Sequence, residues 1–123
     1  VQVHGDGKQT RTFCYVEDAV EGMVQSAMSP AAANTILNVG TDLEISVLEI
    51  AHTLKRLGGF ESEIEFVSHE SVFGTSYEDI PRRVPDLSRI QDIVGWKATT
   101  SLDDGLVRTI EYYREQASRS MYE

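Results

Sequence analysis

One local signal recurs along this chain and constrains it more than any other. An oxygen-bearing side chain is followed three residues later by an acid, at the head of an apolar helical stripe. It occurs at Asp18 and Glu21, at Ser46 and Glu49, and at Ser101 and Asp104. Such capping boxes satisfy the orphan N–H groups of a first helical turn and so fix where helices begin. The stripes agree: Ala19, Val20, Met23, Val24 and Ala27 recur at helical spacing, as do Val47, Ile50, Ala51 and Leu54. Leu106, Ile110 and Tyr113 mark the last helix, with fraying expected beyond about Gln116. Asp86 is placed to cap a further helix carrying Leu87, Ile90, Ile93 and Val94. Ser29-Pro30, Gly58-Gly59 and Gly95 supply the stops.

Between the helices lie short runs that suit strands. Val1 and Val3 alternate with polar neighbours up to the turn Gly5-Asp6-Gly7. Phe13-Cys14-Tyr15-Val16 predicts a buried strand, Thr35 to Val39 a second, and Ile64 with Phe66 a third. Arg82-Arg83-Val84 is expected to be a short strand ahead of Pro85, and Ser68 to Glu78 a polar loop. Strands alternating with capped helices give an α/β domain. At 123 residues, one domain is expected.

Charge narrows the function. Twenty acidic against eleven basic side chains leave a net charge of -9, which makes the chain a poor candidate for a nucleic-acid phosphate-backbone binder. Any anion must be held by a few placed arginines against the overall field. No apolar run approaches the roughly 18–20 residues of a membrane span. A lone cysteine, Cys14, excludes an internal disulfide and a zinc knuckle and fits a reducing, cytoplasmic setting. The opening VQVHGDGKQT has no charged region followed by an apolar one, so a signal peptide is not expected.

Several kinds of chemistry lack their residues. There is no G-x-G-x-x-G, no Walker loop and no G-x-S-x-G, and no tyrosine has a lysine four residues later. His4, His52 and His69 are far apart, so no metal site is expected. Cys14, in an apolar run, suits a structural thiol. No catalytic residue is identified. Arg11, between a glycine-rich turn and an apolar run, and Arg82 with Arg83, between prolines, remain. Guanidinium groups so placed suit bidentate phosphate recognition, but on residue pattern alone salt bridges with the many acids are the commoner outcome.

The segment from Gly5 to Asp18, G-D-G-K-Q-T-R-T-F-C-Y-V-E-D, resembles the signature of the NAD-dependent nucleotide-sugar epimerases, dehydratases and decarboxylases, the extended short-chain dehydrogenases. The resemblance continues in order through Leu37-Asn38-Val39-Gly40, the helix from Ile45 to Leu57, Arg83-Val84-Pro85-Asp86, and Gly95-Trp96 with Leu102 and Gly105-Leu106. It covers nearly the whole chain but only the C-terminal, substrate-binding part of that family. It implies a fragment in which a strand and helix, about Phe13 to Met28, normally join the Rossmann sheet. NAD would belong to the full-length enzyme, with none expected on this chain.

The resemblance also implies roles. Arg11 and Arg83 match the arginines that grip the pyrophosphate of a nucleotide-diphosphate sugar from two sides. Tyr77 faces the sugar pocket in the decarboxylase-like branch, and Gln9 sits where the nucleotide is contacted. The strand ending at Val3 and His4 runs beside the base, with His4 in place of a commoner tyrosine and Thr12 in place of a commoner aspartate. The parent enzyme would oxidise the sugar to a ketone before epimerisation, elimination or decarboxylation. This chain would bind and orient the substrate and be inactive alone. A competing reading makes it a standalone, non-catalytic binding or oligomerisation module. In either case the orphaned strand and helix imply a homo-oligomer, formed for instance by swapping that unit.

Overall fold

The computed structural model describes residues 1–68 and 80–120. The elements are β1 (Gln2–His4), β2 (Thr10–Thr12), α1 (Val16–Met28), a single 3-10 turn (Pro30–Ala32), β3 (Glu44–Ser46), α2 (Val47–Gly58), β4 (Glu65–Val67), α3 (Ser88–Val94) and α4 (Leu102–Ser120). The architecture is mixed α/β, as the alternation predicts.

Two small sheets form. β1 pairs in parallel with β4, with Val3 opposite Phe66. Parallel neighbours need a long crossover, and everything from the glycine turn through α2 supplies it. β2 pairs antiparallel with β3, with Arg11 opposite Ile45. β2 also takes a single parallel bridge on its other edge, between Thr10 and Arg82. The expected strand at Arg82-Arg83-Val84 is thus reduced to one bridged residue.

Helix α2 begins at the predicted capping box. The Ser46 hydroxyl accepts the Glu49 N–H at 3.1 Å, and the Glu49 carboxylate accepts the Ser46 N–H at 3.0 Å. It ends at Gly59, whose φ of 62° is the left-handed conformation that glycine adopts without strain. α2 packs on α4, and Ile50, Ala51 and Ile110 are buried. Arg114 of α4 closes the C-terminal end of α2 by donating to the Gly58 carbonyl at 2.5 Å. A second centre gathers Leu87, Ile90 and Trp96, with Cys14, Leu37 and Val39 packed against it.

Four expectations are corrected. Asp18 does not cap α1: the helix starts earlier, at Val16, behind Tyr15. The Asp18 side chain is buried and instead accepts the N–H groups of Thr99 and Thr100 and the Thr100 hydroxyl. Phe13 to Tyr15 lie outside any strand among the described residues, with Tyr15 extended at φ -66°, ψ 141°. Thr35 to Val39 likewise form no ladder among the described residues. Both segments have strand sequences without a neighbouring strand to pair with. Helix α1 between them is uncovered on its outer side, where Val16, Val20, Met23, Val24 and Met28 are each at least 52% exposed. The α4 helix also runs to Ser120, beyond the expected fraying point.

Candidate functional site

The site is organised by the loop that carries the G-D-G turn. Gly5 and Gly7 have φ of 73° and 71°, which bends the chain back from β1 toward β2. A Cβ on Gly7 would come within 2.9 Å of Val3 Cγ1, so the turn lies flat on the β1 side chain. Lys8 folds onto Asp6, its ammonium 3.0 Å from the carboxylate. Hydrogen bonds from Lys8 hold the Asp6 carboxyl below its ordinary value. The loop then sits on the first turn of α2: Leu48 N–H donates to the Gly7 carbonyl and Val47 N–H to the Gln9 carbonyl, each at 3.0 Å. With Glu49 N–H held by Ser46, the leading N–H groups of this helix are already used. The helix end is therefore not an anion site here, and the positive charge must come from arginines.

β2 presents them. Thr10 N–H donates to the Pro81 carbonyl at 2.8 Å, which draws the Ile80–Arg83 segment alongside. Arg11 reaches the same segment: its Nη1 donates to the Thr10 and Ile80 carbonyls at 2.7 and 2.8 Å. The two arginine regions singled out in the sequence, 69 residues apart from Arg11 to Ile80, thus share one edge. Arg82 and Arg83 are not equivalent there. Arg82 lies side-on to Glu44, with Nε 3.1 Å from both carboxylate oxygens and Nη2 2.9 Å from Oε2. Glu44 also accepts the Thr10 hydroxyl. That hydrogen bond, followed by the Arg82 contact, keeps the Glu44 carboxyl below the ordinary glutamate value. Arg83 is exposed and pairs with no carboxylate among the described residues.

The remaining predicted residues divide. Gln9 is half-buried and donates from Nε2 to the His4 carbonyl at 2.8 Å, tying β2's approach to the end of β1. His4 is half-buried beside it. Val3 is 1% exposed, so its side chain holds the sheet and only its main chain could face a ligand. Tyr77 lies outside the described residues. Glu44 and Thr10 were not singled out by sequence, because no short-range pattern connects residues 34 apart. An apolar hollow of about 290 Å³ lies between Phe13–Val16 and the start of α4 and contains none of these groups.

The sequence contains no G-x-G-x-x-G dinucleotide loop. Its apolar segment before α1 ends in Phe13-Cys14-Tyr15, with no glycine where a pyrophosphate would approach the helix. No reaction step through such a cofactor is assigned to it.

The fold is that of part of an extended short-chain dehydrogenase. The family model described as GDP-mannose 4,6 dehydratase matches residues 1–109. The chain belongs to this family of NAD-dependent nucleotide-sugar epimerases and dehydratases. It is 38% identical over 113 residues to a UDP-N-acetyl-alpha-D-glucosaminuronate decarboxylase of Bacillus cytotoxicus, covering 92% of this chain and 35% of that protein. A UDP-glucose 4-epimerase of Thermotoga maritima, solved with UDP-glucose, superposes with a TM-score of 0.83 at 26% identity, over 95% of this chain and 35% of that one. MoeE5, solved with UDP-glucuronic acid and NAD, superposes with a TM-score of 0.82 at 28% identity, over 94% of this chain and 37% of that one. The chain therefore spans little more than a third of these relatives. Among the described residues no helix is long and apolar enough to cross a membrane.

Proposed function

We propose that this chain is the nucleotide-sugar-binding part of an NAD-dependent epimerase, dehydratase or decarboxylase, and that its ligand is a UDP-sugar. The observation that carries this reading is the edge of β2, where the Thr10–Arg82 bridge brings Arg11 and Arg83 to neighbouring positions on adjoining segments. Two guanidinium groups from separate elements can hold a diphosphate with charge-assisted bonds, each worth about 1.5–3 kcal/mol. Holding the diphosphate fixes the sugar for chemistry done by groups elsewhere, which is how remote binding energy serves catalysis. The relatives' UDP-linked substrates support the choice of nucleotide.

The division of labour follows. Arg11 and Arg83 bind the diphosphate, while Gln9, His4 and the main chain of Val3 border the nucleotide. The family resemblance assigns the sugar contact to Tyr77, six residues before Arg83. Proton and hydride transfer belong to residues outside this sequence, so the chain alone is inactive. Residues 13–28 join the sheet of that cofactor-binding part, which accounts for the uncovered face of α1. Without it, that face is open to a second copy, so the isolated chain forms a homo-oligomer, by exchange of the Phe13–Met28 unit among other routes.

Calorimetric titration with UDP tests the reading. Wild type is expected to bind and the Arg11→Ala, Arg83→Ala double variant to lose binding. Equal affinities in the two would refute the clamp. Absence of binding by wild type would mean that this part does not form a diphosphate site by itself.

A further inference from the structure

We propose that Glu44 is a positioning residue for the diphosphate site. It holds Thr10 and Arg82 in one register and so decides that Arg83, not Arg82, accompanies Arg11. The proposal rests on the diphosphate reading above.

Three observations converge. Thr10 and Arg82 are bridge partners, and both side chains end on the same Glu44 carboxylate. Partners across a bridge share a face, and successive residues of extended backbone alternate faces. The next residue in each segment, Arg11 and Arg83, is then set to the opposite face, together. A slip of one residue would exchange Arg82 for Arg83, and only one bridged pair joins these segments. The Glu44–Arg82 contact is side-on and supplies the register that a longer ladder would otherwise supply. The Arg82 side chain is 65% exposed, so the pair contributes little to overall stability and its effect is geometric.

The sign of the expected effect separates this role from plain electrostatics. Removing a carboxylate near an anion site should strengthen anion binding by relieving repulsion. The positioning role predicts the reverse. In Glu44→Gln, UDP affinity is expected to fall by roughly fivefold, the scale of one charge-assisted contact held out of place. Hydrogen exchange at the Thr10 amide, which donates to Pro81, is expected to quicken by about tenfold as the bridge opens. Glu44→Ala should behave alike. The charge-reversed pair Glu44→Arg, Arg82→Glu should restore both readouts to within about twofold.

Calorimetry with UDP and exchange measurements on the same samples decide the matter, with melting temperatures recorded as a control for folding. Unchanged or tighter UDP binding in Glu44→Gln, with wild type binding normally, would overturn the positioning role alone. Unchanged protection at Thr10 would also overturn it. Failure of wild type to bind UDP would mean that this chain forms no diphosphate site by itself, and the positioning role would be overturned with it.

Discussion

Asp18 and Thr100 are 82 residues apart and joined twice: the carboxylate accepts the Thr100 N–H at 2.8 Å and its hydroxyl at 2.9 Å. A third bond, from Thr99 N–H, completes the set. The contact pins the first turn of α1 to the chain that leads into α4. Acceptance of backbone N–H groups by a buried carboxylate is among the stronger kinds of hydrogen bond.

The Asp18→Asn variant is therefore expected to lose about 2 kcal/mol of stability at neutral pH. Its amide must either turn a donor toward N–H groups or abandon them. The loss has a pH signature. Burial alone would raise the Asp18 pKa, but the bonds from Thr100 and Thr99, with the Arg108 charge behind them, outweigh it and leave it below the ordinary value. A lowered folded-state pKa stabilises the fold above the unfolded value of about 3.9, and that contribution disappears as pH falls through the folded value. Thermal melts of both proteins from neutral to strongly acid pH should show a gap that is full above about pH 5 and closes in acid. A gap independent of pH would show that the charge is not what holds the contact.

Gly22 faces Trp96 across the α1 boundary. A Cβ at position 22 would lie 2.7 Å from Trp96 Cε2, and Trp96 is only 3% exposed and has little room to retreat. Alanine in mid-helix normally gains about 1 kcal/mol over glycine. Here overpacking, at about 1–3 kcal/mol, is expected to win. Gly22→Ala should lower the melting temperature and disturb the near-ultraviolet signal of the chain's one tryptophan. A higher melting temperature would mean that α1 moves outward freely on its uncovered side.

Much of this architecture is written locally. Ser46 and Glu49 specify the start of α2 within four residues, and Gly59 and Gly95 stop helices through their own backbone freedom. Asp18 is the instructive failure. Its sequence context fits a cap, yet its partners lie at Thr99 and Thr100, where only tertiary structure brings them. Phe13 to Val16 and Thr35 to Val39 fail for a different reason. Strand propensity is a capacity to pair, and no described strand lies beside them. At the candidate site, residue type drew attention to Arg11, Arg82 and Arg83 alike, and only the family resemblance preferred Arg83. The distinction between Arg82 and Arg83 on physical grounds needed Glu44, which the sequence sets 38 residues from Arg82.

The capping box at α2 bears on the site as well as on stability. Ser46→Ala removes the acceptor for Glu49 N–H and is expected to cost about 1 kcal/mol. Ser46 also sits opposite Thr10 in the β2–β3 register. Fraying there should loosen the Gly7 and Gln9 carbonyl contacts to Leu48 and Val47. Amide exchange should therefore quicken at Val47, Leu48 and Glu49 together. Faster exchange confined to Glu49 would show that the glycine turn holds the helix end without the cap.

The outer face of α1 gives the last prediction. Val20 and Val24 are one turn apart and 52% and 56% exposed, and Val16 and Met28 continue the stripe. Apolar side chains in such a row gain roughly 25 cal/mol per Å² when a partner covers them. In the isolated chain the available partner is a second copy, despite the mutual repulsion of two chains each carrying a net charge of -9. Light scattering at high protein concentration should therefore give a mass above that of one chain, rising as salt screens the repulsion. Val20→Lys with Val24→Lys should return the mass to 13.7 kDa or close to it, with helix content unchanged. The paired lysines place charge where the contact must be dry, and their stems still suit a solvent-facing helix. A wild-type chain that stays monomeric at high concentration and high salt would sink the idea, since both repulsion and dilution would then have been removed as reasons for its solitude.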